Sequence, residues 1–280
     1  MRGKFKISGI QSTNPIAVGD LVEFSYPAGA DVAVIHAISE RKNYIVRKAT
    51  NLSRQKHVIA ANIDQALLVA TLAEPRTSTG FIDRFLVTCE AYSIPAVVVF
   101  NKIDLYNTEG LALLRSLSYT YEAIGYQCLS VSAKTQENLH LLKDSLKGKT
   151  TLLSGHSGVG KSTLVNAISP GLDLKVQTIS QAHSKGRHTT TFAEMFELEN
   201  LGFIIDTPGI KEFGLVGFEP WELSHYFPEM RNLFNLCRFD NCTHSNEPGC
   251  KVKQAVEEGT ISDFRYMNYL SMLMGNDNRA

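Results

Sequence analysis

Gly155-His156-Ser157-Gly158-Val159-Gly160-Lys161-Ser162 is the stretch on which the reading of this 280-residue chain turns. It fits the pattern of a glycine, four free positions, then Gly-Lys-Ser. A strand-like run at residues 150–154 precedes it and a helix-like run at 161–168 follows, which is the context a phosphate-gripping loop requires. Gly155 and Gly160 let the backbone curl so that its amides face inward. Those amides and the N-terminus of the following helix bind phosphate oxygens. Lys161 then reaches the β and γ phosphates as a point charge, and Ser162 offers its hydroxyl to Mg²⁺. His156, Ser157, Gly158, Val159 and Thr163 complete the expected contact set on the nucleotide's phosphates.

Outward from that loop, apolar runs at 66–72, 96–100, 127–131, 150–154 and 202–205 alternate with amphipathic segments at 83–92, 111–121, 136–146 and 161–168. Such alternation predicts an α/β domain with a largely parallel sheet. Phosphate binding does not choose a base, but Asn101-Lys102-Ile103-Asp104 does. The Asp104 carboxylate matches the N1–H and N2–H donors of guanine, the Asn101 amide matches the ring edge, and Lys102 can lie along the base. Adenine would leave Asp104 unpaired, which is a strong basis for discrimination. Ser132-Ala133-Lys134 follows the next run and offers backbone amides to guanine O6. Asp206-Thr207-Pro208-Gly209 follows another, with Asp206 placed to hold Mg²⁺ through water and the Gly209 amide placed to sense the γ phosphate. Each motif ends a predicted strand, where open α/β sheets bind their ligands.

Cys237, Cys242, His244 and Cys250 are spaced C-x₄-C-x-H-x₅-C. Three thiolates and an imidazole make a closed tetrahedral set suited to one structural Zn²⁺, with no position left for catalytic water. Two predicted helices, 220–236 and 251–273, flank this knot. Cys89 and Cys128 fall on a predicted helix and strand and read as core packing.

The order of these motifs is permuted: the base-reading pair precedes the phosphate loop instead of following Asp206. A cut in a surface connection allows this when the termini of a domain lie close together. The order, the stretch Gly186-Arg187-His188-Thr189-Thr190-Thr191 and the Cys/His set together resemble the RsgA (YjeQ/YloQ) family of small-subunit-dependent GTPases, over nearly the whole chain. The resemblance implies an N-terminal OB-fold, a circularly permuted P-loop GTPase domain and a helical zinc-binding domain. It further implies a role in late maturation of the 30S subunit, with 16S rRNA as a contact and hydrolysis of GTP to GDP stimulated by the subunit. The expected divisions are residues 1–57, 58–216 and 217–280, in a monomer.

Ile210 stands after Gly209, where many small GTPases carry a water-orienting glutamine, so the attacking water must be held otherwise. His188 is the candidate, because an imidazole can orient or deprotonate water; the resemblance points to the same histidine. Thr190 is the expected hydroxyl for Mg²⁺ and the γ phosphate, with Thr191 an open alternative.

Composition sets the bounds. Hydrophobic residues make up 44% and charged residues 20%, ordinary for a globular protein, and no apolar run is long enough for a membrane span. The N-terminus lacks a secretory pattern, which predicts a cytoplasmic protein whose cysteines bind metal sooner than pair with one another. Net charge is zero, yet residues 1–57 carry nine Lys/Arg against four acids, so the basic end is the one suited to a polyanion. Short β-like runs at 21–26, 32–37 and 44–46 predict a small all-β module there, with Phe5, Phe24, Tyr26 and Tyr44 available for stacking on RNA bases. The chain opens at Met1-Arg2-Gly3-Lys4-Phe5, where relatives usually have one or two further strands, so an incomplete barrel is expected.

Overall fold

The computed structural model describes residues 14–29, 31–48, 56–172, 193–206, 219–233 and 235–275. Its centre is a six-stranded sheet built from β5 (Gln65–Ala70), β6 (Ala96–Phe100), β7 (Gln127–Ser130), β8 (Lys149–Ser154), β9 (Glu194–Leu198) and β10 (Gly202–Asp206). Spatial order is β7-β6-β5-β8-β10-β9, with every neighbouring pair parallel except β9 on β10. The order reverses between β5 and β8: from β5 the chain builds outward through β6 and β7, then returns to place β8 on the other flank. Ligands of open α/β sheets bind at such a reversal, outside the carboxyl ends of the strands.

Strand periodicity divides the core in two. Ala66, Leu68 and Ala70 point to one face, where Phe81, Ile82, Phe85 and Leu86 of α1 (Thr79–Ala91) and Leu114, Leu117 and Tyr121 of α2 (Thr108–Ala123) cover them. Leu67 and Val69 point to the other, under Leu139, Leu142 and Leu146 of α3 (Leu139–Leu146) and Leu164, Val165 and Ile168 of α4 (Lys161–Ile168). α1 starts four residues before the predicted helix because the Ser78 hydroxyl caps it, accepting from the Phe81 amide at 3.2 Å. α3 starts three residues later than predicted, since Gln136 and Asn138 take positive φ. The edge strand β9 was not anticipated: Glu194-Met195-Phe196-Glu197-Leu198 carries two acids and lacks an uninterrupted apolar run.

Toward the N-terminus, β1 (Val22–Ser25) pairs antiparallel with β2 (Val34–Ile38), and β3 (Tyr44–Lys48) with β4 (Lys56–Ala61). Among the described residues these are two separate two-stranded sheets, and Val18, ahead of β1, makes a parallel bridge to Ala60 of β4. The expected division after His57 falls inside β4, and the one after residue 216 lies outside the described residues. Phe5 lies outside them as well.

The predicted helix at 220–236 is instead a 3₁₀ segment, Pro220–Tyr226, and one turn of α5 (Pro228–Arg231). Pro228 removes the amide that a continuous helix needs. The predicted helix at 251–273 is split into α6 (Lys251–Glu257) and α7 (Asp263–Leu273), where Gly259 adopts φ +74°. No described helix is long and apolar enough to cross a membrane.

Candidate nucleotide site and metal centre

Because β5, β6, β7, β8 and β10 run parallel, their carboxyl ends share one edge of the sheet, and the predicted motifs meet there. β8 delivers the glycine loop. Gly155 has φ +142°, and a Cβ on it would stand 2.3 Å from the Val69 carbonyl of β5, so this position excludes any side chain. Gly160, at φ +94°, is equally constrained: its Cβ would meet the Asn101 amide nitrogen at 2.6 Å. Lys161 opens α4 and folds back over the loop, with Nζ donating to the carbonyls of Gly155 at 2.7 Å and His156 at 2.8 Å. Burial lowers the Lys161 ammonium to about 8, against the opposing attraction of Asp206. The His156 ring packs on Phe81 of α1 with centroids 3.8 Å apart.

Asn101, fully buried at the end of β6, ties three motifs together. Its side-chain nitrogen donates to the Val159 carbonyl at 2.9 Å, and its side-chain oxygen accepts from the Ala133 amide at 3.1 Å. Asp104 sits on a 3₁₀ turn, Ile103–Leu105, and accepts from the Ser132 hydroxyl at 2.6 Å; that same oxygen of Ser132 accepts from the Thr135 amide at 3.1 Å. Lys102 takes φ +62°, and its Nζ donates to the Glu74 carbonyl. A cleft of about 200 Å³ lies between the motifs, lined by Asn101, Lys102, Asp104, Leu105, Ala133, Lys134, Gly160 and Thr163. All but Leu105 were predicted. Leu105 offers an apolar wall, and nothing in its sequence context distinguishes it from an ordinary exposed leucine.

Ser162 in the first turn of α4 and Asp206 at the end of β10 are both buried at this same edge. A hydroxyl and a carboxylate are hard oxygen donors of the kind Mg²⁺ takes. Gly209, His188, Thr190 and Thr191 lie outside the described residues.

The second constellation is at the other end of the chain. The ligand atoms of Cys237, Cys242, His244 and Cys250 all lie within 4.8 Å of one another. His244 turns Nδ1 inward, 3.6 Å from Cys237 Sγ and 3.4 Å from Cys250 Sγ. A tetrahedral Zn²⁺ with Zn–S bonds near 2.3 Å sets sulfurs about 3.8 Å apart, so the donor set and its spacing fit that ion. Burial pushes the Cys242 thiol up to about 12 and raises Cys250, so thiolates here need a cation beside them. Amides already point at two of the sulfurs: Lys251 N to Cys237 Sγ at 3.3 Å and Lys253 N to Cys250 Sγ at 3.5 Å.

Glu247 organises the loop between the ligands, accepting from the Thr243 amide at 2.7 Å, the Thr243 hydroxyl at 2.6 Å and the Ser245 amide at 2.9 Å. Burial works against its charge, but these bonds hold the carboxyl at about 2. Tyr266 and Tyr269 of α7 donate to the His244 and Thr243 carbonyls at 2.7 and 2.5 Å.

This knot docks on α1 through a buried ion network. Arg265 of α7 donates to Asp83 of α1 at 2.7 Å and to Glu229 of α5 at 2.8 and 3.1 Å, while its guanidinium lies 4.7 Å over the Phe227 ring. Tyr121 and Asn268 also donate to Asp83, at 2.9 and 2.6 Å.

The comparisons agree with this geometry. A family model described as RsgA GTPase matches residues 38–216, more than half of the chain. A small ribosomal subunit biogenesis GTPase RsgA of Christiangramia forsetii is 52% identical over 279 residues, covering 99% of this chain and 89% of the relative. The protein of that description from Bacteroides fragilis is 52% identical over 273 residues, covering 98% and 88%. Among solved structures, YjeQ from Thermotoga maritima superposes with a TM-score of 0.75 at 40% identity, over 93% of this chain and 84% of that one. YloQ, described as a circularly permuted GTPase, superposes with a TM-score of 0.72 at 32% identity, over 98% and 85%.

Proposed function

The chain belongs to the RsgA GTPase family, whose members hydrolyse GTP, and from that premise we propose that it acts in late maturation of the 30S ribosomal subunit. It binds the subunit and 16S rRNA in one nucleotide state, leaves in the other, and turns over faster when the subunit is bound. The names of its relatives support this, and the observation that carries the guanine reading is the Asn101 side chain. One amide group spans the phosphate loop at Val159 and the Ala133 backbone, so base-reading and phosphate-gripping motifs form a single rigid unit. Asp104, aimed by Ser132, accepts the N1–H and N2–H of guanine; Ala133 and Lys134 amides face O6; residues 155–163 hold the phosphates.

Ser162 and Thr190, with Asp206 beside them, would hold Mg²⁺, and the ion would supply positive charge against the nucleotide phosphates. Lys161 leaves the Gly155 and His156 carbonyls and turns to the γ phosphate. His188 orients the attacking water or takes its proton, so that the γ phosphorus gains a bond to that oxygen and loses its bond to the β-phosphate oxygen, releasing GDP and phosphate. Residues 1–57 form an OB-fold-like RNA-binding unit, residues 58–216 the GTPase domain and residues 217–280 the zinc-binding domain, with β4 running across the first division. The protein works as a monomer in the cytoplasm.

The test is the GTPase rate with and without purified small subunits. A large stimulation, abolished in Lys161→Ala, is the expected outcome, and an unstimulated rate contradicts the proposal. His188→Ala should lower kcat with nearly unchanged GTP affinity; wild-type turnover in that variant rejects the role of His188.

A further inference from the structure

The Tyr106 hydroxyl lies where the base-reading turn leaves the sheet. β5 and β6 pair in parallel up to Ala70 opposite Phe100, and the ladder continues with the Asn101 amide donating to the Ala70 carbonyl at 2.8 Å. In a parallel ladder the next rung would run from the Leu72 amide to the Asn101 carbonyl. That rung is replaced. The Leu72 amide donates to Tyr106 Oη at 2.8 Å, and Tyr106 Oη donates to the Asn101 carbonyl at 2.7 Å. A phenol hydroxyl stands between the two strand ends as an inserted link, holding them apart by the width of one oxygen.

The same ring closes the turn on itself. Tyr106 lies five residues beyond Asn101, its own amide donates to the Ile103 carbonyl at 3.1 Å, and Leu105 donates to Lys102 at 3.0 Å. Backbone bonds therefore fix the inside of the turn, while the hydroxyl fixes the turn to the sheet. Asp104 sits within this loop, exposed to the cleft. The ring is half-buried against the apolar cluster of α1 and α2, so it cannot swing away freely. Burial raises the phenol, which keeps the hydroxyl protonated and able to donate at neutral pH.

Without the hydroxyl, Leu72 N–H and Asn101 C=O have two outcomes. They close the missing rung and drag the start of the turn toward β5, or they stay apart with two polar groups unpaired. The first displaces Asp104 relative to the phosphate loop; the second leaves the turn without its side-chain tether to the sheet, so the Asp104 carboxylate is no longer held at one height. We propose that Tyr106 is a positioning residue for purine selection, setting the height of the Asp104 carboxylate above the sheet. This rests on the guanine reading given above.

The experiment compares dissociation constants for GDP and IDP, with Mg²⁺ present, on the full chain and on Tyr106→Phe. IDP lacks the N2 amine, so it reports the second hydrogen bond to Asp104 and little else. Wild type is expected to prefer GDP by about tenfold or more. In Tyr106→Phe, GDP, which bonds Asp104 through both N1–H and N2–H, should weaken about tenfold and IDP, which keeps only N1–H, by about threefold, so that the preference shrinks severalfold. Because both constants come from one preparation, loss of folded protein cancels from their ratio, which a merely structural role for the ring would leave unmoved. An unchanged GDP/IDP ratio in the variant overturns the positioning role. A wild-type chain that binds ADP, titrated alongside, as tightly as GDP overturns the guanine reading itself, and the inference with it.

Discussion

Asn101 and Cys250 are both buried, yet their surroundings differ in kind. Asn101 follows a strand in a six-stranded sheet with an apolar cluster on each face, and both hydrogen bonds of its side chain run to protein backbone. Cys250 caps the short α6 in a segment without strands, over a smaller cluster in which Cys242 and Cys250 are themselves members. Apolar clusters on both faces of the sheet and short polar links support the nucleotide edge. The knot has the smaller apolar cluster, and the Glu247 clamp and the Arg265 network bind it together; a zinc ion at the proposed Cys/His set would add ligation to these. One region is preformed; the other is stapled.

Removing zinc should widen that difference most. Binding of a structural Zn²⁺ is worth roughly 10–16 kcal/mol in small domains. A strong chelator, or Cys242→Ser, is expected to release one Zn²⁺ per chain and to expose amides of residues 237–273 to hydrogen exchange, leaving β5 to β8 protected. Unchanged exchange around the knot after metal removal would break the comparison.

Arg265→Met comes next. It leaves Asp83 and Glu229 buried without their cation, a loss of about 3–5 kcal/mol in urea unfolding. Adding Asp83→Asn should return part of it, because the variant no longer strands that charge. If the single variant unfolds at the wild-type urea midpoint, the network does not hold the two regions together.

Asp104→Ala should act only at the preformed site. Asp104 is exposed, so the melting temperature stays within a degree or two, while loss of a charged acceptor weakens GDP by about 1.5–3 kcal/mol, roughly ten- to a hundredfold. A large drop in melting temperature would mean that the site is less independent of its ligand-reading residue than we describe.

The smallest effect is electrostatic. Lys161, lowered to about 8 by burial, loses its charge as pH rises through that value, and affinity for nucleotide phosphates should fall by at most about tenfold per unit above it. Stability of the ligand-free chain moves the other way. Between about pH 8 and 10.5 the unfolded lysine binds more proton than the folded one, so stability rises with pH across that window. Subtracting the same profile for Lys161→Met isolates the effect; identical profiles would show that this lysine does not titrate there.

Most of the nucleotide edge was legible in the sequence because its motifs are contiguous and each follows an apolar run. What escaped was the structure made by distant partners. Tyr106 carries no local signal, since its role depends on Leu72 and Asn101. Asp83 and Arg265 are 182 residues apart, and each alone reads as a helix surface charge. The helix predicted at 220–236 breaks at Pro228, which lacks the amide a continuous helix needs, and β9 carries no apolar run because edge strands need not be apolar.

Isothermal titration of the full chain with GDP and with ADP, at equal Mg²⁺, addresses the convergence of strand ends most directly. GDP binding at least roughly a hundredfold tighter than ADP is the predicted result. Equal affinities, or no binding of either, would contradict it.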